Sequence, residues 1–140
     1  MSQLRKAREL LKSNDLTCAV CKEDKAYTST DRGVKPLVLW YESGTDMKNA
    51  SAADKVVGRG AAFLYLLLGI GELYAQVISK PALELLSENG IAVYYGTLAD
   101  NIINRQGNGI CPFEEAVLNV TDSHEAYISI IQKMKDLKIR

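Results

Sequence analysis

Hydrophobic residues follow two spacings along this chain of 140 residues, and each spacing predicts a different kind of element. Apolar residues three or four positions apart indicate helices, whereas short apolar runs between turn-forming residues indicate strands. Helices are predicted over residues 4–13, 52–69, 81–87 and 98–103, after Cys111, and after Asp122, where Glu125 completes a capping-box spacing. Strands are predicted over residues 16–21, 25–30, 36–41, 73–78 and 91–95.

The order of these elements predicts the fold class. The polar turn at residues 22–24 joins the first two predicted strands into an antiparallel hairpin. Later strands are separated by helices, which favours parallel crossover connections. The chain is therefore predicted to be an α/β protein with a mixed sheet. No internal repeat or interdomain linker divides it, so we expect residues 1–140 to form a single domain.

Composition and charge exclude several classes of protein. Lys plus Arg and Asp plus Glu both number 17, whereas non-specific nucleic-acid binding needs a basic surface. Three cysteines, an odd number, fit a reducing cytoplasm better than a disulfide framework. The start of the chain lacks the apolar stretch of a signal peptide, and residues 61–70 are about half the length of a membrane span. We expect a cytoplasmic protein that binds neither nucleic acid nor membrane.

Two cysteines and the single histidine are weak candidates for chemistry. Cys18 and Cys21 have the spacing of metal ligands, but positions three apart on a strand face opposite sides of the sheet. No second Cys/His pair completes a tetrahedral site, and His124 lies in a polar helix cap. We therefore expect Cys18 and Cys21 to be structural, and we expect no bound metal.

The predicted helix over residues 52–69 begins with two cations. On a helix, Lys55 and Arg59 would lie on one face, where like charges repel by roughly 0.2–0.5 kcal/mol. An anionic ligand between them would remove this repulsion and suit a helix N-terminus. Gly58 and Gly60 each cost up to ~1 kcal/mol in a helix interior, which suggests close approach of a ligand or another backbone. The alternative is a solvated charged stripe, with glycines for tight helix packing.

Ser79 lies at a predicted strand-to-helix junction. Serine is a good N-cap and Pro81 suits a first helical turn, so helix initiation alone explains this motif. Ligands of α/β sheets nevertheless gather at the carboxyl ends of strands. Ser79 is therefore also a candidate for ligand contact.

The densest group of polar residues lies in the glycine-containing segment 104–114. Asn104 and Arg105 follow an apolar turn, and the planar guanidinium of Arg105 matches a carboxylate or phosphate. Cys111 directly precedes a proline, so its thiol lies at a predicted helix N-terminus, which stabilises a thiolate. A half-buried cap at Cys111, with Glu114 complementing the helix dipole, explains the same residues without chemistry.

Three motifs together resemble a small prokaryotic family of unknown function that is similar in fold to the cytidine deaminases. The motifs are Asp54-Lys55-x-x-Gly58-Arg59-x-Ala61-Ala62, Ser79-x-Pro81-Ala82-Leu83 and Asn104-Arg105-x-Gly107-x-Gly109-x-Cys111-Pro112-x-Glu114. This resemblance covers nearly the whole chain. It implies a three-layer α/β/α sandwich with a mixed sheet, of the cytidine deaminase-like class.

The same resemblance implies an altered site. In deaminases a His (or Cys)-x-Glu motif opens the helix corresponding to residues 52–69, and Pro-Cys-x-x-Cys opens the helix after the next strand. Here Asp54 takes the first position, Val56 stands where the glutamate would be, and the motif at Ser79 has no cysteine. Neither zinc-dependent deamination nor a cofactor is expected. Only the location of the pocket carries over.

Three hypotheses about function remain open. The first is a deaminase-like protein that binds a small, anionic, nucleotide-like molecule, phosphorylated ones included. Its candidate ligand-binding residues are Lys55, Arg59, Ser79, Asn104 and Arg105. The second is an enzyme that uses Cys111 as a nucleophile, or Asp54 with Glu114 as acid and base, without a metal. The third is an assembly or regulatory module, and by analogy with similar scaffolds we expect a homo-oligomer.

Overall fold

The computed structural model describes residues 2–13, 15–31, 33–103, 106–107 and 109–138. In these ranges the helices are α1 Gln3–Ser13, α2 Lys35–Glu42, α3 Arg59–Leu68, α4 Lys80–Glu88, α5 Pro112–Ala116 and α6 Ser123–Asp136. The strands are β1 Cys18–Lys22, β2 Lys25–Ser29, β3 Ser51–Val57, β4 Glu72–Ser79 and β5 Ala92–Ala99. None of these helices combines the length and apolarity that crossing a bilayer requires.

The five strands form one mixed sheet in the order β2-β1-β3-β4-β5. β1 is antiparallel to β2 and to β3, whereas β3, β4 and β5 are parallel to one another. The hairpin turns at Glu23, whose positive φ of 55° suits a tight connection. The predicted α/β class, mixed sheet, opening hairpin and later parallel crossovers are all confirmed.

Helices cover both faces of the sheet, which produces three layers. On one face α1 buries Ala7 and Leu11 against a small cluster from β1 and β3 that includes Ala19 and Ala53. On the other face α2, α3, α4 and α6 enclose the main core, in which Phe63 is fully buried. Neighbouring residues of these strands face opposite clusters, Val20 beside Ala19 in β1 and Ala52 beside Ala53 in β3, as the pleat of a strand requires.

The predicted helix over residues 52–69 is wrong in its first part. Ser51–Val57 is the central strand β3, and α3 begins only at Arg59, after Gly58 in an extended conformation. A strand buried on both faces has a nearly continuous apolar sequence, which periodicity cannot distinguish from a buried helix. Lys55 therefore lies on a strand, and Lys55 and Arg59 do not share a helix face.

The predictions for two shorter segments are also wrong. Residues 36–41 belong to helix α2, because Pro36 occupies its first turn and the helix buries Leu37 and Val38. Residues 98–103 are not helical: Leu98 pairs with Ile78 at the end of β5, and Ile103 forms a bridge with Ile110. In both cases the apolar run is too short for its spacing to distinguish a strand from a helix.

The other predicted elements are confirmed, with ends that differ by a few residues. The helix after Asp122 begins as the capping box predicts, since the Asp122 carboxylate accepts a hydrogen bond from the backbone N–H of Glu125 at 3.0 Å. The helix after Cys111 also forms, although it is only five residues long.

Candidate functional site

A cavity of about 630 Å³ lies at the edge of the sheet where β3 ends. Because β1 and β3 are antiparallel, the first residue of β1, Cys18, lies opposite Asp54 near the end of β3. The start of α3 forms a second wall, and Ile102, Cys111 and Glu114 close the cavity from above. Elements distant in sequence thus converge on one concave site, the usual form of a small-molecule site.

Asp54 is a buried carboxyl group without a cationic partner. Asp54 as a whole residue is 9% exposed, and none of the ion pairs in the described ranges includes it. Its Oδ2 accepts a hydrogen bond from the Tyr65 hydroxyl at 2.6 Å, and its Oδ1 accepts one from the backbone N–H of Val56 at 3.2 Å. Burial raises the pKa of Asp54 to about 7, although the hydrogen bond from Tyr65 opposes this shift.

Cys18 and Tyr65 surround Asp54 with groups that stay protonated. Burial, followed by the nearby carboxyl of Asp54, raises the pKa of the Cys18 thiol far above its ordinary value. Burial likewise raises the pKa of Tyr65 well above its ordinary value. Asp54 is therefore the member of this cluster that can exchange a proton near neutral pH, which is the property of a general acid or base.

Glu114 is buried by a different arrangement, in which three neutral donors bind its carboxylate. Its Oε1 accepts hydrogen bonds from the backbone N–H of Arg59 at 2.7 Å and from the Ser79 hydroxyl at 2.8 Å. Its Oε2 accepts one from the backbone N–H of Ile102 at 2.8 Å. Arg59 begins α3 and Ser79 caps α4, so the carboxylate lies at two helix N-termini, where a negative charge is stabilised.

The glycines at the start of α3 make room for α5. A Cβ on Gly58 would lie 2.8 Å from Glu114 Cγ, and a Cβ on Gly60 would lie 3.1 Å from the carbonyl oxygen of Phe113. The close approach suggested by these glycines is therefore made by another segment of the chain. Glu114 occupies the place at the N-terminus of α3 that an anionic ligand would take.

Arg59 directs its charge away from the cavity. Its Nε donates to the carbonyl oxygen of Val117 at 3.3 Å, and its Nη2 donates to that of Val120 at 2.6 Å. The guanidinium also lies 5.0 Å from the centre of the Phe63 ring. Arg59 thus binds the carbonyl groups that follow α5, and its side chain does not line the cavity.

The remaining predicted residues divide between the cavity and its surroundings. Lys55 lines the cavity and forms an ion pair with Asp15 at 3.3 Å. Cys111 is a half-buried free thiol in the lining. Ser79 is fully buried, where its hydroxyl binds Glu114 and caps α4. Asn104 and Arg105 lie outside the described residues.

The structure thus brings together Asp54, Lys55, Cys111 and Glu114, and it adds Cys18 and Tyr65, which the sequence did not indicate. The antiparallel hairpin could have placed Cys18 beside Asp54 only if residues 51–57 had been recognised as a strand. Tyr65 gives no signal of its own, since it lies among apolar helix residues. In the described part of the chain, no three His, Cys, Asp or Glu side chains lie close enough to bind one metal ion.

Comparisons with known proteins find similarity over nearly the whole chain, including the residues of the cavity. The model of a family described as a domain of unknown function, DUF1893 (TM1506), matches residues 6–134. The crystal structure of a DUF1893 family protein (TM1506) from Thermotoga maritima, at 2.70 Å resolution, is similar with a TM-score of 0.85. The sequences are 30% identical, and the match covers 94% of this chain and 89% of that chain. No curated protein matches the chain.

Proposed function

Because the chain belongs to the DUF1893 family, whose function is unknown, we propose a function from the geometry of the cavity. The protein binds a small, nucleotide-like molecule there, with Asp54 as the polar anchor at its floor. The observation that supports this proposal best is the buried carboxyl of Asp54, which faces a cavity of about 630 Å³ and has only neutral hydrogen-bond partners. A volume of this size suits a small metabolite.

The charges of the lining suggest how such a ligand would lie. Asp15, Asp54 and Glu114 line the cavity, and Lys55 is the cationic side chain among the lining residues that the structure describes. A phosphate at the floor of the cavity would contact the carboxyl group of Asp54 rather than a cation. The floor therefore favours a ligand with an uncharged ring whose N–H groups donate to Asp54. An anionic group of the ligand would lie at the rim beside Lys55. Of the cations expected to bind the ligand, Lys55 lines the cavity and the side chain of Arg59 does not, while Arg105 lies outside the described residues.

A thermal-shift panel of nucleosides, nucleotides and sugar phosphates tests this proposal. We expect a nucleotide to raise the melting temperature, Asp54→Asn to weaken binding of nucleoside and nucleotide alike, and Lys55→Ala to weaken the nucleotide alone. Lys135→Ala, which removes a positive charge at an exposed position of α6, is the matched control. No shift across the panel, or equal loss in the Lys135 variant, would contradict the proposal.

An enzyme is the second candidate function, and the pKa of Asp54 favours it. A carboxyl group with a pKa of about 7 suits general acid–base catalysis at neutral pH. Glu114 is a weaker partner, because three donors already bind its carboxylate. Cys111 remains a candidate nucleophile, since it is half-buried in the lining. Turnover of any panel ligand, with loss of activity in Asp54→Asn but not in Cys111→Ser, would favour acid–base chemistry over the thiol.

The finer classification and location are proposals as well. The mixed sheet between two helical layers and the three sequence motifs support a cytidine deaminase-like fold. Superposition on the solved structures of cytidine deaminases tests that classification. The free cysteines support a reducing cytoplasm, which fractionation of cells tests.

A further inference from the structure

The outer edge of β5 is an unusually open template for another strand. β5 is the last strand of the sheet, and in the described ranges no strand pairs with its outer edge. Its eight residues, Ala92–Ala99, contain no charge and no proline. Tyr94, Tyr95 and Leu98 are 52%, 43% and 36% exposed, so large apolar side chains lie along this edge on both faces.

The opposite edge of the sheet differs in each respect. β2 is five residues long and begins with Lys25, and short charged edge strands are a common protection against pairing. β5 lacks both of these protective features, and an exposed, long and apolar edge favours association with another chain. An edge of this kind is therefore available to pair with a strand of another chain.

We propose that a second copy of this chain covers the edge, so that two β5 strands pair antiparallel about a two-fold axis. Full overlap of the eight residues places Tyr95 opposite Gly96 of the second copy and Tyr94 opposite Thr97 of the second copy. Val93 then lies opposite Leu98 of the second copy. Residues opposite one another in an antiparallel pair share a face, and each pair here joins a large side chain to a small one or two apolar ones.

The missing side chain at Gly96 leaves room for a residue of the second β5 strand. A Cβ on Gly96 would lie 3.0 Å from the carbonyl oxygen of Gln76, so a side chain there would need the neighbouring strand to shift by a few tenths of an ångström. The position leaves a gap along the edge, and an aromatic ring from the opposite strand is the known way to cover such a gap. Tyr95 of the second copy supplies that ring, and the two-fold axis repeats the contact.

Charge and symmetry favour a second copy over other strands. Because β5 is uncharged, its self-pairing brings no like charges together. Pairing of β5 with β2 of another copy would instead place Lys25 on the apolar edge and build an open fibre rather than a closed dimer. The tyrosines of both copies would cover roughly 400 Å² of apolar surface, which is part of a standard interface of about 1,600 Å².

Light scattering after size exclusion tests the dimer. The wild-type chain at 100 μM is expected to show twice its 15.4 kDa mass. The double variant Tyr94→Glu with Tyr95→Glu places four carboxylates at the centre of the pairing and is expected to be monomeric. Ile128→Glu is the matched control, because Ile128 is 55% exposed on α6 and lies away from β5, so its dimer persists.

A second measurement does not depend on the variants' folding. Hydrogen exchange of the wild-type chain at 100 μM and at 0.1 μM is expected to show protection, lost on dilution, of the β5 amides that point away from β4, with β2 unchanged. A monomeric wild-type chain, or an assembly that persists in a folded double variant, overturns the proposal. The cavity residues take no part in this edge, so the result is independent of ligand binding.

Discussion

The carboxylate of Glu114 accepts a hydrogen bond from the backbone N–H of Arg59 at 2.7 Å, across 55 residues of sequence. Through the same carboxylate the start of α5 is also held to Ser79 and Ile102. One side chain therefore positions the upper wall of the cavity against two helix N-termini. The shape of the cavity depends on this contact, even though Glu114 need not touch a ligand.

Replacing Glu114 by glutamine is expected to lower the free energy of unfolding by about 1–3 kcal/mol. The amide N–H₂ of glutamine would replace one carboxylate oxygen, so the backbone N–H of Arg59 or of Ile102 would lose its acceptor. Urea denaturation measures the change. Glu115→Gln is the matched control, since Glu115 is the exposed neighbour. Equal stability of the two variants would show that the three hydrogen bonds contribute little.

Replacing Gly58 by alanine is expected to cost about 1–3 kcal/mol, the usual range for overpacking. The reason is the 2.8 Å approach of the added Cβ to Glu114 Cγ. Combining Gly58→Ala with Glu114→Ala relieves that contact, so the double variant should be less destabilised than the sum of the single variants. Strict additivity in chemical denaturation would argue against a direct clash.

Stability is expected to fall as the pH rises from about 4 to about 7. Asp54 has a pKa of about 7 in the folded chain against 3.8 in the unfolded chain, so in this range only the folded state keeps the proton. The slope from this one group approaches 1.4 kcal/mol per pH unit. Subtracting the urea stability of Asp54→Asn at each pH isolates its contribution. A difference that does not change with pH would contradict the raised pKa.

Removing the Tyr65 hydroxyl is expected to raise the pKa of Asp54 further, because the hydrogen bond from Tyr65 stabilises the carboxylate form. The titration of the Asp54 carboxyl carbon by NMR, in wild type and in Tyr65→Phe, measures the shift. Tyr127→Phe is the control, since Tyr127 donates to a different carboxylate, that of Glu42. A downward shift, or one of equal size in the control, would contradict this role.

Alkylation is expected to modify Cys111 first in the folded chain. Cys18 and Cys21 are buried, whereas Cys111 is half-buried in the lining of the cavity. Mass spectrometry of peptides after brief iodoacetamide treatment identifies the modified thiol, with Cys111→Ser as control. The pH profile of this reaction also tests the nucleophile: an apparent pKa near the ordinary ~8.5 would leave Cys111 without activation.

Local chemistry explains which elements could be predicted. The hairpin around residues 22–24, the N-cap at Asp122 and the Ser79-to-Pro81 helix start depend on residues a few positions apart. The predictions for residues 36–41 and 52–57 are wrong because the structure of these segments does not depend on nearby residues alone. A buried apolar segment has the same composition in a strand and in a helix, and only its neighbours determine which one forms.

The fold class, most helix starts and the segments in which polar groups gather follow from the amino-acid sequence alone, because these depend on spacing and on nearby hydrogen bonds. How those groups are used follows from the tertiary structure. It turned Arg59 and Ser79 toward internal acceptors, placed the carboxylate of Glu114 where an anion was expected, and buried Asp54 beside Tyr65. Such contacts join residues far apart in the chain, and their geometry follows from packing the sheet against its helices, which spacing alone does not specify.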